Sequence, residues 1–312
     1  MRFTDAKITD AKIPRQSALP QWDFGNVSLT RFVESEGPLL SPFELLPDCT
    51  PNHISENLPW LAPRFYDPQA QLLVIAIQSF LIRTAGKTIL VDACSGNHKD
   101  RRRPFFHRRE WDWLQKLEAA GVRPEDIDIV MCSHLHVDHV GWNTRLENGR
   151  WVATFPNARY LISKREWEYW RSQAGVMSLG RTGDFISDSV APIVESGQAD
   201  LIDDRHGVCE CIDVEPAHGH TPGQFIVRLR AAGKEAILSA DLMHTPLQLR
   251  YPQWSTNFCV DPDLARQTRE DFLTRHCNGP LVFPAHFPGP CGGRIIRDGS
   301  HYFFEYAGHC TS

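Results

Sequence analysis

Seven consecutive residues, Ser133-His134-Leu135-His136-Val137-Asp138-His139, restrict this 312-residue chain more than any other stretch. They carry three imidazoles and a carboxylate. They follow Asp126-Ile127-Asp128-Ile129-Val130-Met131-Cys132, which reads as a buried strand. The cluster thus falls just past a strand's C-terminal end, where open α/β sheets build ligand sites. Alternation along an extended segment points His134 and His136 the same way, so two neutral imidazoles can reach one ion. Asp138 and His139 then turn toward a second ion, and Gly141 lets the chain bend away.

The rest of the chain alternates strands and helices. Residues 72–77 and 80–82 read as strand, 85–87 as a turn and 88–91 as the return strand, ending at Asp92. Trp113, Leu114 and Leu117 have helical spacing within 110–120, and Gly121 stops that helix. After a strand at 159–162, Ser163 and Glu166 form a capping-box pattern that opens a helix through Trp167 and Trp170. Residues 184–194 are helical, and 199–202 and 209–214 are strands. Further strands follow at 225–229 and 236–239, the second leading to Asp241. Asp261-Pro262 supplies a cap and a first-turn proline for a helix to about Arg275. A last strand, 281–285, ends at His286. Residues 1–68 show no sustained period and read as an irregular arm that closes a pocket, forms a homodimer interface or packs on the surface.

The spacing of His134, His136, Asp138 and His139 resembles the H-x-H-x-D-H motif of the metallo-β-lactamase superfamily, from about residue 72 to 286. Gly219-His220-Thr221-Pro222-Gly223 resembles that family's third motif and selects His220 over His218. The resemblance implies an α/β (α+β) fold, a four-layer αββα sandwich in one domain, 1–312, with the arm at 1–68 and the core at 69–312. It implies a first metal site of His134, His136 and His220, and a second of Asp138, His139 and His286. Asp241 would bridge them, and Asp92 would support the loop from behind. The implied cofactors are two divalent metal ions; zinc suits the donors, and manganese, cobalt and iron are alternatives.

The implied chemistry is hydrolysis by a hydroxide shared between the ions, with Asp138 accepting the proton. Few residues follow His286, against the helical extension of glyoxalase II. An inserted nucleic-acid domain and a flavin domain are not evident. The sequence then resembles the N-acyl-homoserine lactonase and methyl parathion hydrolase group. Lactonases of that group often carry tyrosine three residues after the bridging aspartate. Here that residue is His244, which could hold the substrate oxygen, protonate the leaving group or simply pack. The expected substrate is a small ester or lactone. Phosphotriesters, or a catalytically silent metal-binding role, are the alternatives.

Composition narrows the partners. A net charge of −5 argues against bulk nucleic-acid binding. The arginines at 101–103 and 108–109 are local, either a solvated face or a rim that steers substrate. Nine cysteines lack a disulfide-like framework, which fits reduced thiols in the cytoplasm. Cys209 and Cys211 read as packing residues on a strand. Residues 1–7 lack the apolar run of a signal peptide, and 72–82 is too short to span a membrane.

Overall fold

The computed structural model describes residues 19–84 and 86–308. Residues 1–7, Ala85 of the turn, and Cys310 lie outside them. Among the described residues two large sheets face each other. The first runs in the order Gln21–Phe24, Val27–Leu40, Leu72–Thr84, Lys87–Val91, Ile129–Cys132, Arg159–Ser163, Ala199–Ile202, with Tyr66–Asp67 beside Leu72–Thr84. The second runs His206–Cys209, Ile212–Pro216, Phe225–Ala231, Lys234–Ala240, Leu281–Pro284, Gly293–Asp298, His301–Tyr306.

Three apolar clusters define the layers. Ile129 and Met131 face the second sheet, packing with Val214, Val227 and Leu238. Their neighbours Val130 and Cys132 face outward, against Trp113, Leu117, Trp170 and Phe185 of the helices. On the far side of the second sheet, Ile226, Ile237 and Val282 meet Phe272 and Leu273 of the helix Pro262–His276. Strands buried on both faces carry continuous apolar runs, which is how 129–132 reads in the sequence. The result is the expected four-layer αββα arrangement.

Two parallel pairings align the strand ends. Lys87–Val91 lies parallel to Ile129–Cys132, and Lys234–Ala240 parallel to Leu281–Pro284. Ile212–Pro216 is antiparallel to Phe225–Ala231, itself antiparallel to Lys234–Ala240, so its C-terminal end reaches the same edge. The loops carrying His220, Asp241 and His286 therefore leave the second sheet together.

Residues 19–68, the described part of the expected arm at 1–68, are not irregular. Val27–Leu40 pairs along Leu72–Thr84 from Ser28↔Arg83 to Leu40↔Leu73, and Pro51–Leu61 is a helix capped by Thr50. The strand has no readable period because its register slips at Val33/Ser35 and Pro38/Leu40. It also buries Arg31 and Glu34 where an apolar residue would be expected. Truncation before Gln69 would strip strands from this sheet, so it would not spare the core.

Other boundaries shift for local reasons. The helix expected from Glu110 spans Trp113–Ala119, because Trp111 is tied back to Asn97 and Ser95. Residues 184–194 form two short helices, Phe185–Ser189 and Ala191–Glu195. The expected strand 209–214 is a hairpin turning at Cys211, whose Sγ lies 3.4 Å from that of Cys209. Among the described residues the cysteines are free, and no helix is long and apolar enough to cross a membrane.

Candidate metal centre

The edge of the sandwich gathers every residue singled out for a metal role. His134, His136, His220 and Asp241 each bring one nitrogen or oxygen atom to within 4.8 Å of the others. Asp138, His139 and His286 form a second such group, and Asp241, His244 and His286 a third. Asp241 lies between the first two groups, and His286 Nε2 approaches both of its oxygens, Oδ2 at 3.2 Å. Its Oδ2 lies 3.2 Å from His220 Nε2 and 3.7 Å from His134 Nε2. Its Oδ1 lies 3.3 Å from His139 Nε2 and 3.1 Å from His286 Nε2. Asp138 sits at the open side, 3.8 Å from His286 Nε2.

The donor set fits cations. The outer nitrogens of the rings are engaged: His139 Nδ1 with Asp92 Oδ2 at 2.9 Å, and His286 Nδ1 with the Ala76 carbonyl at 2.9 Å. Those partners accept, so each ring keeps its proton outside and turns a lone pair inward. Inside, His136 Nδ1 lies 3.1 Å from His134 Nε2 and 2.9 Å from His220 Nε2. His139 Nε2 and Asp241 Oδ1 are buried without a hydrogen-bond partner. Converging lone pairs and an orphaned carboxylate oxygen are satisfied by positive charge.

Electrostatics divides the cluster. Burial lowers His139 and His286, but the charge of Asp241 and its neighbouring carboxylates outweighs it and lifts His139 well above, and His286 above, the usual imidazole range. Burial holds the imidazoles of His134 and His136 well below their usual range, in the neutral form that binds metal. At His220 burial acts the same way, but the hydrogen bond and charge of Asp241 outweigh it and lift the ring to about 9. Burial pushes His244 down to about 4 against the pull of Asp241.

Tight backbone contacts set the loop. Asp92 accepts from Ser133 N at 2.8 Å and from Ser133 Oγ at 2.8 Å, as support from behind requires. Gly141 does more than let the chain bend. A Cβ there would lie 2.0 Å from the Ser95 carbonyl, and Gly141 N donates to Cys94 O at 2.7 Å. Gly219 has φ +125° and packs where a Cβ would meet Ala265 N at 2.2 Å, which seats His220 against the helix Pro262–His276.

Glu166 departs from the expected capping box. Ser163 caps the helix by position without a side-chain bond. The Glu166 carboxylate is fully buried and turns away, accepting from Leu135 N (3.0 Å), Gly223 N (2.7 Å) and Trp170 Nε1 (2.9 Å). It joins the loop of His134 to the loop of His220. A glutamate followed by two tryptophans on a helix was the available signal. Cys259, 3.6 Å from His220 Nδ1, had no signal in its surroundings.

His218 stays outside the cluster, 3.3 Å from Asp204. His244 joins it: Nε2 is 3.1 Å from Asp241 Oδ2, its ring stacks on His286, and its Nδ1 has no partner. His136, Asp138, His220, Asp241, His244 and His286 line a cavity of about 840 Å³ walled by Ile75, Ile77, Phe106, Trp170 and Phe258.

Comparison with known proteins agrees with this geometry. N-acyl homoserine lactonase AttM of Azorhizobium caulinodans is 28% identical over 145 residues, 44% of this chain and 49% of that protein. N-acyl homoserine lactonase AiiB of Agrobacterium fabrum is 28% identical over 101 residues, 29% of this chain and 37% of that protein. The chain thus spans about half or less of the length of these curated relatives. Among solved structures, the hydrolase AbOPH superposes with a TM-score of 0.81 at 23% identity, over 95% of this chain and 100% of that one. AidC, a dizinc quorum-quenching lactonase, gives 0.77 at 20%, over 94% and 99%. At these identities the structural likeness speaks for the fold. The profile of the metallo-beta-lactamase superfamily matches residues 73–286, from the strand bearing Ile75 and Ile77 to the last histidine of the cluster. With the sandwich and its histidine-rich edge built from that same stretch, the chain belongs to the metallo-β-lactamase superfamily.

Proposed function

We propose that the protein is a dinuclear metal-dependent hydrolase of small-molecule esters and lactones. One observation carries this reading: Asp241 stands between two histidine groups, 3.2 Å from His220 and 3.1 Å from His286, beside a largely apolar cavity. His134, His136 and His220 would hold one divalent ion, Asp138, His139 and His286 the other, and Asp241 would reach both. Zinc suits these nitrogen and oxygen donors. When bound, such a pair supplies a hydroxide nucleophile near neutral pH and polarises the substrate's reacting oxygen.

The chain's own residues do the rest. Asp138 keeps 17% of its side chain exposed and lines the cavity, so it would take the proton released during attack. His244, beside Asp241 and on the cavity lining, would hold the substrate oxygen or protonate the leaving group. Ile75, Ile77 and Trp170 would bind the apolar part of the substrate and exclude water. The lactonase relatives support lactones as the first class to test.

The test is elemental analysis of protein purified without chelator, then a panel of N-acyl homoserine lactones, aryl esters and phosphotriesters. About two metals per chain and turnover of lactones or esters are expected. A value near one that supplementation leaves unchanged would count against bridging by Asp241. Two bound metals with no turnover of any class would support a silent, metal-binding role instead.

A further inference from the structure

The arginine run at 101–103 divides into unlike parts. Arg101 points inward and forms a buried two-bond pair with Asp188, at 2.6 and 2.8 Å. Lys99 is buried beside it, donating to Thr144 Oγ1 at 2.6 Å and lying over the Trp151 ring. These contacts pin the segment from inside. Arg102 points the other way. Its side chain is exposed, lines the cavity and has no partner among the described residues.

Arg102 is not isolated. Its backbone N donates to Thr182 O at 3.0 Å, which seats it beside Arg181. Arg181 lines the same cavity and spends one N–H on Asn257 O, at 3.0 Å. Arg103 is already satisfied, paired with Glu44 at 2.8 Å and covering Phe258. Away from the histidine cluster, the cavity's charged groups are three guanidinium groups and the single carboxylate of Glu44. Ile75, Ile77, Phe106 and Trp170 line the wall of the same cavity. The cavity combines the histidine cluster, an apolar body and an exposed cationic mouth, with Arg102 on a segment pinned from within.

We propose that Arg102 and Arg181 select substrates whose apolar acyl chain ends in a carboxylate. This rests on the hydrolase reading above. The reacting carbonyl would sit at the histidine cluster, the chain along the apolar wall and the terminal carboxylate on the two guanidinium groups. Planar guanidinium donors match a carboxylate in two-bond geometry. A basic mouth also raises the local concentration of anionic substrates, an advantage that salt removes.

The test compares 4-nitrophenyl hexanoate with the 4-nitrophenyl half-ester of adipic acid, equal in length and differing in the terminal carboxylate. The quantity read is the ratio of kcat/KM, carboxylate over methyl. Arg102→Gln and Arg181→Gln should each lower it roughly threefold, and the double variant about tenfold, through KM. Glu44→Gln should raise it, a direction misfolding would not mimic. A ratio at or below one in the unaltered holoenzyme, or one the double variant leaves unchanged, would overturn the proposal. Binding of adipate against hexanoate, followed by tryptophan fluorescence, gives a readout that needs no turnover. If neither ester is cleaved, the hydrolase reading loses its ester arm and rests on the lactone panel, while a tenfold loss of adipate preference in the double variant would still support the cationic mouth. Equal binding of the two acids in every variant would overturn it.

Discussion

Glu166→Gln is a nearly isosteric change whose cost follows from three donors. The carboxylate accepts from Gly223 N on one oxygen and from Leu135 N and Trp170 Nε1 on the other. Glutamine can keep its oxygen toward the latter pair, which turns its amide NH₂ toward Gly223 N at 2.7 Å. One charge-assisted bond, about 1.5–3 kcal/mol, is then lost, and a buried N–H is left facing a donor at about 1–3 kcal/mol. The retained bonds become neutral and weaker. The sum is about 2.5–6 kcal/mol, or roughly a 5–24 °C fall in Tm at about 2–4 °C per kcal/mol. Leu135 lies between His134 and His136, and Gly223 follows His220, so the loops should also lose alignment. Metal affinity should fall about 10–100-fold, as when outer partners of metal sites are removed. Thermal unfolding of metal-free protein and competition with a zinc chelator measure the two effects separately. Unchanged Tm and unchanged affinity would refute the view that Glu166 ties the loops together.

Three further outcomes are expected. Gly141→Ala would force a Cβ to 2.0 Å from the Ser95 carbonyl, so the variant should lose about 1–3 kcal/mol and misplace His139; denaturant titration and metal counting check this. His244→Ala should leave the metal content of the protein unchanged and lower kcat at least about tenfold. A loss that shrinks for nitrophenol leaving groups assigns proton donation, an equal loss assigns positioning, and unchanged kinetics rejects both. Glu34 is a pH-dependent stability element. Burial outweighs its bonds from Ser95, Gly96 and Trp142 and raises its carboxyl from 4.5 to about 7. The protonated form is favoured in the fold, so its contribution is complete below pH 4.5 and lost as pH rises through 7. The shift of about 2.5 units is worth about 3 kcal/mol. Glu34→Gln should flatten the stability profile between these values, and an unchanged slope in denaturant titrations would refute the assignment.

The histidine cluster was legible because ligand chemistry is written in residue type and short spacing. His220, Asp241 and His286 each follow a strand or a recognisable motif, so contiguous sequence carried their positions. Val27–Leu40 was illegible because its register slips break the alternation, and because Arg31 and Glu34 are satisfied by distant partners: Gln78 and Gly289 for one, Ser95 and Trp142 for the other. The Ser163–Glu166 spacing fits a local cap equally well whether the carboxylate turns to its own helix or to another loop. Only the approach of Leu135 and Gly223 decides, and that approach is tertiary. The arginine run looked uniform, yet Arg101 belongs to the interior while Arg102 and Arg103 line the cavity.

The histidine-rich edge draws on both halves of the sandwich. His134, His136, Asp138 and His139 leave the first sheet, while His220, Asp241 and His286 leave the second. On the proposed assignment each ion would be gripped from both sides, acting as a rivet across the seam. Neither half alone presents a full donor set, so ion uptake and closure of the seam become a single equilibrium. Every factor by which free metal exceeds its dissociation constant is then returned as resistance to separating the layers. Chelation would act on the mechanical integrity of the sandwich as well as on its chemistry, and the exposed inner faces of the two sheets would be the first surfaces to feel it.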